Sequence, residues 1–113
     1  MNEADVKKAA SAIGLAKRAG KVTCGIPLII EALRAGKGPS LVVASETASA
    51  NSLKKISDKC KFYGTEIITI PLSPDELAHC VGNSGSVAAV SVNDGGLADL
   101  VRSALDDTKN QRS

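Results

Sequence analysis

Aromatic side chains are nearly missing from this sequence. Phe62 and Tyr63 are the only ones in 113 residues, and tryptophan does not occur. Proteins that stack unpaired bases on a sheet use several exposed rings there. Their scarcity argues against such a platform, so any nucleic-acid contact has to rest on charge, backbone groups and aliphatic side chains. Cysteine is scarce and odd in number: Cys24, Cys60 and Cys80, with no CxxC pair. A disulfide framework or zinc site is therefore not expected, and the thiols read as small core or half-buried residues in a reducing compartment. His79 is the single histidine. Adjacent residues on a helix point about 100° apart, so Cys80 is no partner for it. No nucleophile–base pair is in view.

Other signals of chemistry are equally thin. There is no Walker motif. Gly82-Asn83-Ser84-Gly85 follows a helical segment and precedes a strand, the reverse of a dinucleotide fingerprint. Asn93-Asp94-Gly95-Gly96 is placed where an anion could sit on a helix N-terminus, but Asp94 makes a tight turn the simpler account. No apolar run is long enough to span a bilayer, and the first residues lack a signal-peptide h-region. The expectations are a soluble, cytoplasmic, non-catalytic protein with no metal, no cofactor and no membrane partner.

What the chain does carry is alternation. Three runs, 40–45, 66–70 and 86–92, are almost continuously apolar. Such runs suit strands buried on both faces, with helices covering each side. Between them lie helical patterns over about 4–18, 27–35, 48–63, 74–81 and 96–105, and a short strand over 21–24. Gly20 reads as a helix end, Gly14 as a point of close approach inside the first helix, and Ser73-Pro74-Asp75-Glu76 as a capping box. The fold class is α/β: a three-layer α-β-α sandwich with a central four-stranded mixed sheet. One domain covers 1–105, and 106–113 form a polar C-terminal tail.

The net charge is only +2, but it is unevenly spread. Residues 1–24 hold five basic and two acidic side chains, residues 47–63 four Lys and one Asp, and residues 64–80 balance to −3. An uneven surface steers a polyanion to one side while net charge stays low. The alternative is that these Lys and Glu side chains only solvate helices.

The ordered set Ile13-Gly14-Leu15-Ala16-Lys17-Arg18-Ala19-Gly20-Lys21-Val22, then Gly25 opening a helix, Leu41-Val42-Val43-Ala44-Ser45-Glu46, Lys59-Cys60-Lys61-Phe62-Tyr63-Gly64, Glu76-Leu77-Ala78 with Val81-Gly82, and Val87-Ala88-Ala89-Val90 resembles a known family. It is that of the archaeal and eukaryotic ribosomal proteins called "seven-Ae" and "thirty-e", in their small bacterial, YlxQ-like branch. The resemblance implies an α-β-α sandwich that binds structured RNA, ribosomal or otherwise, at kink-turns or related internal loops, with no DNA partner. It implies two gripping surfaces. The first is the start of the second helix. There the family's Gly falls on Gly25, its polar Asn-Glu or Glu-Glu pair on Pro27 and Leu28, and its Lys on Glu31. The second is the loop Gly82, Asn83, Ser84, Gly85, whose small residues let backbone N–H groups approach phosphate. Lys17, Arg18 and Lys21, just ahead of Gly25, would add phosphate contacts. Pro27, Leu28 and Glu31 depart from the family pattern. The competing reading is therefore a protein-interaction module on the same fold, with Ile26, Pro27, Leu28 and either Ile29 or Ile30 as an exposed apolar patch for a partner or a second copy.

Overall fold

The structure, a computed structural model, describes residues 2–36 and 38–105. The expected tail over 106–113 lies outside them. In chain order the elements are α1 (Glu3–Arg18), β1 (Val22–Cys24), α2 (Ile26–Arg34), β2 (Leu41–Ser45), α3 (Ala50–Tyr63), β3 (Ile67–Ile70), α4 (Pro74–Cys80), β4 (Ala89–Val92) and α5 (Gly95–Leu105).

The strands form one mixed sheet in the order β1-β4-β2-β3. β4 runs antiparallel to both β1 and β2, while β2 and β3 are parallel. Parallel neighbours need a crossover, and α3 supplies it. The central strand β2 is buried throughout, and its side chains alternate between two cores. Leu41 and Val43 pack with Ile13 of α1, Leu77 of α4 and Val101 of α5. Val42 and Ala44 pack with Ile29 of α2 and Ile56 and Cys60 of α3. The three layers follow: α1, α4 and α5 on one face, α2 and α3 on the other.

Two strand expectations need correction. Residues 87 and 88 precede β4, because the Val87 N–H donates to the Pro74 carbonyl at 3.1 Å, away from the ladder. β3 is an edge strand whose Thr69 is exposed and whose Ile67 and Ile68 are half-buried, so its apolar run is not sealed on both sides. Arg102 of α5 reaches across to Glu66 at 2.6 Å and to the Ser40 carbonyl at 3.1 Å, tying α5 to the segments entering β2 and β3. The turn at 93–96 is a helix cap: Asp94 Oδ2 accepts from the Leu97 N–H at 2.9 Å.

Helix starts follow the side chains that cap them. Ser49 accepts from the Ser52 N–H at the start of α3. At α4 Ser73 and Glu76 bond each other's backbone N–H reciprocally, so the capping box expected from the sequence forms.

Candidate functional site

Two stretches far apart in sequence, 17–28 and 81–83, meet beside the edge strand β1. Lys17 from the last turn of α1, Val22, Thr23 and Cys24 of β1, Leu28 of α2, and Val81, Gly82 and Asn83 at the end of α4 line an open groove of about 380 Å³. Local chemistry fixes each wall.

The α1 wall ends in a left-handed glycine. Gly20 has φ +75, its N–H donates to the Lys17 carbonyl at 3.0 Å, and the Lys21 N–H donates to the Ala16 carbonyl at 2.9 Å. This double closure stops the helix abruptly and turns the chain into β1. Lys17 and Arg18 stay exposed in its last turn and Lys21 just beyond. Cations there also complement the helix dipole. Among the described residues none of the three is in an ion pair.

The α2 wall starts at Gly25, with φ +92 and ψ 141, a conformation open to glycine and strained for any side chain. Its N–H donates to the Ala89 carbonyl of β4 at 2.9 Å, and its carbonyl accepts from Ile29 at 3.1 Å, so one residue both pairs with the sheet and opens the helix. Pro27 follows in the first turn, where a missing N–H costs nothing. Pro27 and Glu31 are exposed but do not line the groove; Leu28 does, and is 55% exposed.

The α4 wall repeats the closure of α1. Gly82 has φ +66 and donates to the His79 carbonyl at 3.1 Å, while the Asn83 N–H donates to the Ala78 carbonyl at 2.9 Å. This corrects the expected use of the loop. The N–H groups of Gly82 and Asn83 already have acceptors inside the fold. What the loop offers outward is the Asn83 amide and the exposed residues Ser84, Gly85 and Ser86. Gly14 holds α1 against this turn, as a β-carbon there would lie 3.2 Å from the Cys80 carbonyl oxygen.

The structure thus brings Lys17, Leu28, Gly82 and Asn83 into one groove, with Gly25 adjoining through Cys24. It leaves Arg18, Lys21, Pro27, Glu31, Ser84 and Gly85 on the surrounding exposed surface. Ile26 is a correction. It is 8% exposed and packs into the core with Ile29 and Ile30, both buried, so it offers no side chain to a partner. The apolar patch expected over 26–30 shrinks to Pro27 and Leu28. The helical period explains this, since Ile26, Ile29, Ile30 and Leu33 share the inward face.

Sequence reasoning missed Thr23 and Cys24 as groove residues. Their signal was position, directly between the basic group and Gly25. Burial pushes the Cys24 thiol up from its ordinary range, and the positive charge of Lys17, which lines the same groove, pulls it partly back. The Thr23 hydroxyl accepts from the Asn93 amide at 3.0 Å, and Asn93 in turn accepts from buried Ser91 at 2.9 Å. These bonds tie the β1 side of the groove to the sheet, and Lys17 puts an exposed cation in its lining. That suits holding an anionic, shaped ligand. No acid–base pair or nucleophile with an orienting partner stands in it.

Residues 7–101 match the sequence profile of the Ribosomal protein L7Ae/L30e/S12e/Gadd45 family. The chain is 37% identical over 94 residues to the RNA-binding protein YlxQ of Bacillus subtilis (strain 168), covering 83% of this chain and 91% of that one. It is 36% identical over 93 residues to the RNA-binding protein YlxQ of Enterococcus faecium, covering 82% and 88%. Among solved structures, a protein of unknown function from Bacillus halodurans C superposes with TM-score 0.79 at 26% identity, over 88% of this chain and 97% of that one. The Giardia lamblia 15.5kD RNA binding protein shares the fold with TM-score 0.77 at 15% identity, over 97% and 92%. The chain belongs to the Ribosomal protein L7Ae/L30e/S12e/Gadd45 family.

Proposed function

We propose that this protein binds structured RNA in the cytoplasm, ribosomal RNA or another folded RNA, and does so without catalysis. The observation that carries the reading is the groove itself: Lys17, the start of α2 and the Gly82–Asn83 turn converge there although up to 66 residues separate them. Relatives at 37% and 36% identity are RNA-binding proteins by name, which supports the same ligand class here.

The grip differs from the family's kink-turn pattern. Pro27 and Leu28 replace the polar pair, and Glu31 replaces the cation. Recognition then rests on phosphate contacts from Lys17, Arg18 and Lys21, on the Asn83 amide, and on Leu28 against a sugar or base edge. Phosphate contacts give affinity and salt dependence but little selectivity. The test is a fluorescence titration of a kink-turn RNA and a plain hairpin of equal length across a salt series. The expected result is binding of both, with a steep fall as salt rises and a small preference between them. Tight, salt-resistant, kink-turn-only binding would refute the weak-selectivity reading, and no binding to either RNA would refute the function. Self-association through Pro27 and Leu28 is the competing reading. The burial of Ile26, Ile29 and Ile30 leaves it two side chains, too small a patch for a stable interface.

A further inference from the structure

The groove leaves one basic cluster unused. α3 carries Lys54, Lys55, Lys59 and Lys61 against a single Asp58, and Lys54 neutralises that carboxylate at 3.0 Å. Among the described residues Lys55, Lys59 and Lys61 make no ion pair. Beside them stands Phe62, 79% exposed. A lone exposed ring or a solvated lysine face is ordinary; their conjunction is less so. Lys55, Lys59 and Phe62 are spaced by four and three residues, so they share one face of the helix. The ring is also held. Tyr63, half-buried against the α2–α3 core, meets it edge-on, with centroids 4.9 Å apart and an interplanar angle of 88°.

We propose that this face of α3 is a second RNA-contacting surface, which takes an unpaired, single-stranded segment. Phe62 stacks on a base while Lys55 and Lys59, on the same face, contact phosphates, and Lys61 at its flank adds to the positive field. An aromatic face held among uncompensated cations matches the two parts of a single strand, its base and its phosphate. A duplex offers no open base face to the ring. This also revises the expectation from composition: few aromatics exclude a sheet platform, but a single exposed ring on a basic helix still stacks one base. The inference rests on the RNA-binding reading. It extends that reading to RNA in which a single strand adjoins the folded element held at the groove.

The test uses the full chain and two fluorescent probes: an oligouridylate of about twelve nucleotides, within the usual site size for single strands, and a blunt-ended kink-turn RNA. Phe62→Ala should weaken oligouridylate binding about tenfold, the effect of losing one stacked base, and leave the blunt RNA unchanged. Phe62→Trp should keep or tighten it. Lys55→Ala with Lys59→Ala should reduce the salt slope for the single strand by about 1.4, at about 0.7 per phosphate. Thermal melts establish that each variant is folded. The tryptophan and lysine variants decide the matter if the alanine variant is not. The proposal is overturned if wild-type protein binds the blunt RNA but not oligouridylate, or if oligouridylate affinity ignores Phe62 and both lysines. A poly-glutamate peptide whose binding is lost in Phe62→Ala while oligouridylate binding is unaffected would assign the face to a protein and overturn it too. Wild-type protein that binds neither RNA defeats the groove reading itself.

Discussion

If the groove descends from a kink-turn grip, restoring three side chains should restore the ligand. The perturbation is Pro27→Asn, Leu28→Glu and Glu31→Lys together. Its stability cost follows from the structure. Leu28 is already 55% exposed, so losing its remaining burial costs about 1 kcal/mol, roughly half of a fully buried leucine. The new carboxylate lies in the first turn of α2, which holds no acidic residue, and should return about 0.3–1 kcal/mol from the helix dipole. Removing Pro27 frees the unfolded chain and costs about 0.4–1 kcal/mol. Glu31 is exposed, so its change stays within about 0.5 kcal/mol. The net loss is near 1 kcal/mol, about 4 °C in Tm for a domain of this size.

The gain in binding is larger. A polar contact to a base edge is worth about 1–3 kcal/mol, and Glu31→Lys turns a repelling charge into an attracting one. Two productive contacts alone give about 2–6 kcal/mol, from about thirtyfold to more than ten-thousandfold in Kd. Isothermal titration against a kink-turn RNA, with melting curves of the same samples, measures both quantities. A folded triple variant with unchanged affinity would refute the reasoning. It would place the missing determinant in the 82–86 turn, where two N–H groups are already committed to the helix cap.

Other consequences can be checked separately. Replacing Lys17, Arg18 and Lys21 with Ala should weaken binding to all structured RNAs alike and reduce the log–log salt slope by up to about 2.7, measured by anisotropy across salt. Gly14→Ala gains helix propensity of about 1 kcal/mol but sets a β-carbon 3.2 Å from the Cys80 carbonyl oxygen. Gly14→Val should push α4 aside and cost more than about 2 kcal/mol by urea melts, loosening the 82–86 turn. Burial pushes the Cys60 thiol up to about 11 from 9.0. The folded state therefore keeps this proton while the unfolded chain loses it, and stability falls as pH rises from 9 towards 11. The loss attributable to Cys60 is at most about 2.7 kcal/mol, at 1.36 per pH unit, and the stability gap between wild type and Cys60→Ala should narrow across that window.

The fold was legible because its signals are local. The apolar run Leu41–Ser45 reads as a strand with two covered faces and is one, and Ser73 with Glu76 reads as a helix start and caps α4, although the similar run of β3 proves to be a half-covered edge. The candidate site was legible only where a signal was equally local. Gly25 and Gly82 announce backbone turns that other residues do not readily make, and the structure puts positive φ at both. What failed depended on direction in space. The run Ile26-Pro27-Leu28-Ile29-Ile30 reads as one apolar patch, yet the helix period sends three of its members inward and two outward. Backbone donors at 82 and 83 looked available from the small residues there, yet the cap that those residues make possible consumes them. Thr23 and Cys24 carried no motif at all, and they joined the groove because β1 pairs with β4 at the sheet edge. The same limit hid Phe62. Composition counts rings but does not say where they face, and Phe62 faces outward, near three lysines that make no ion pair among the described residues.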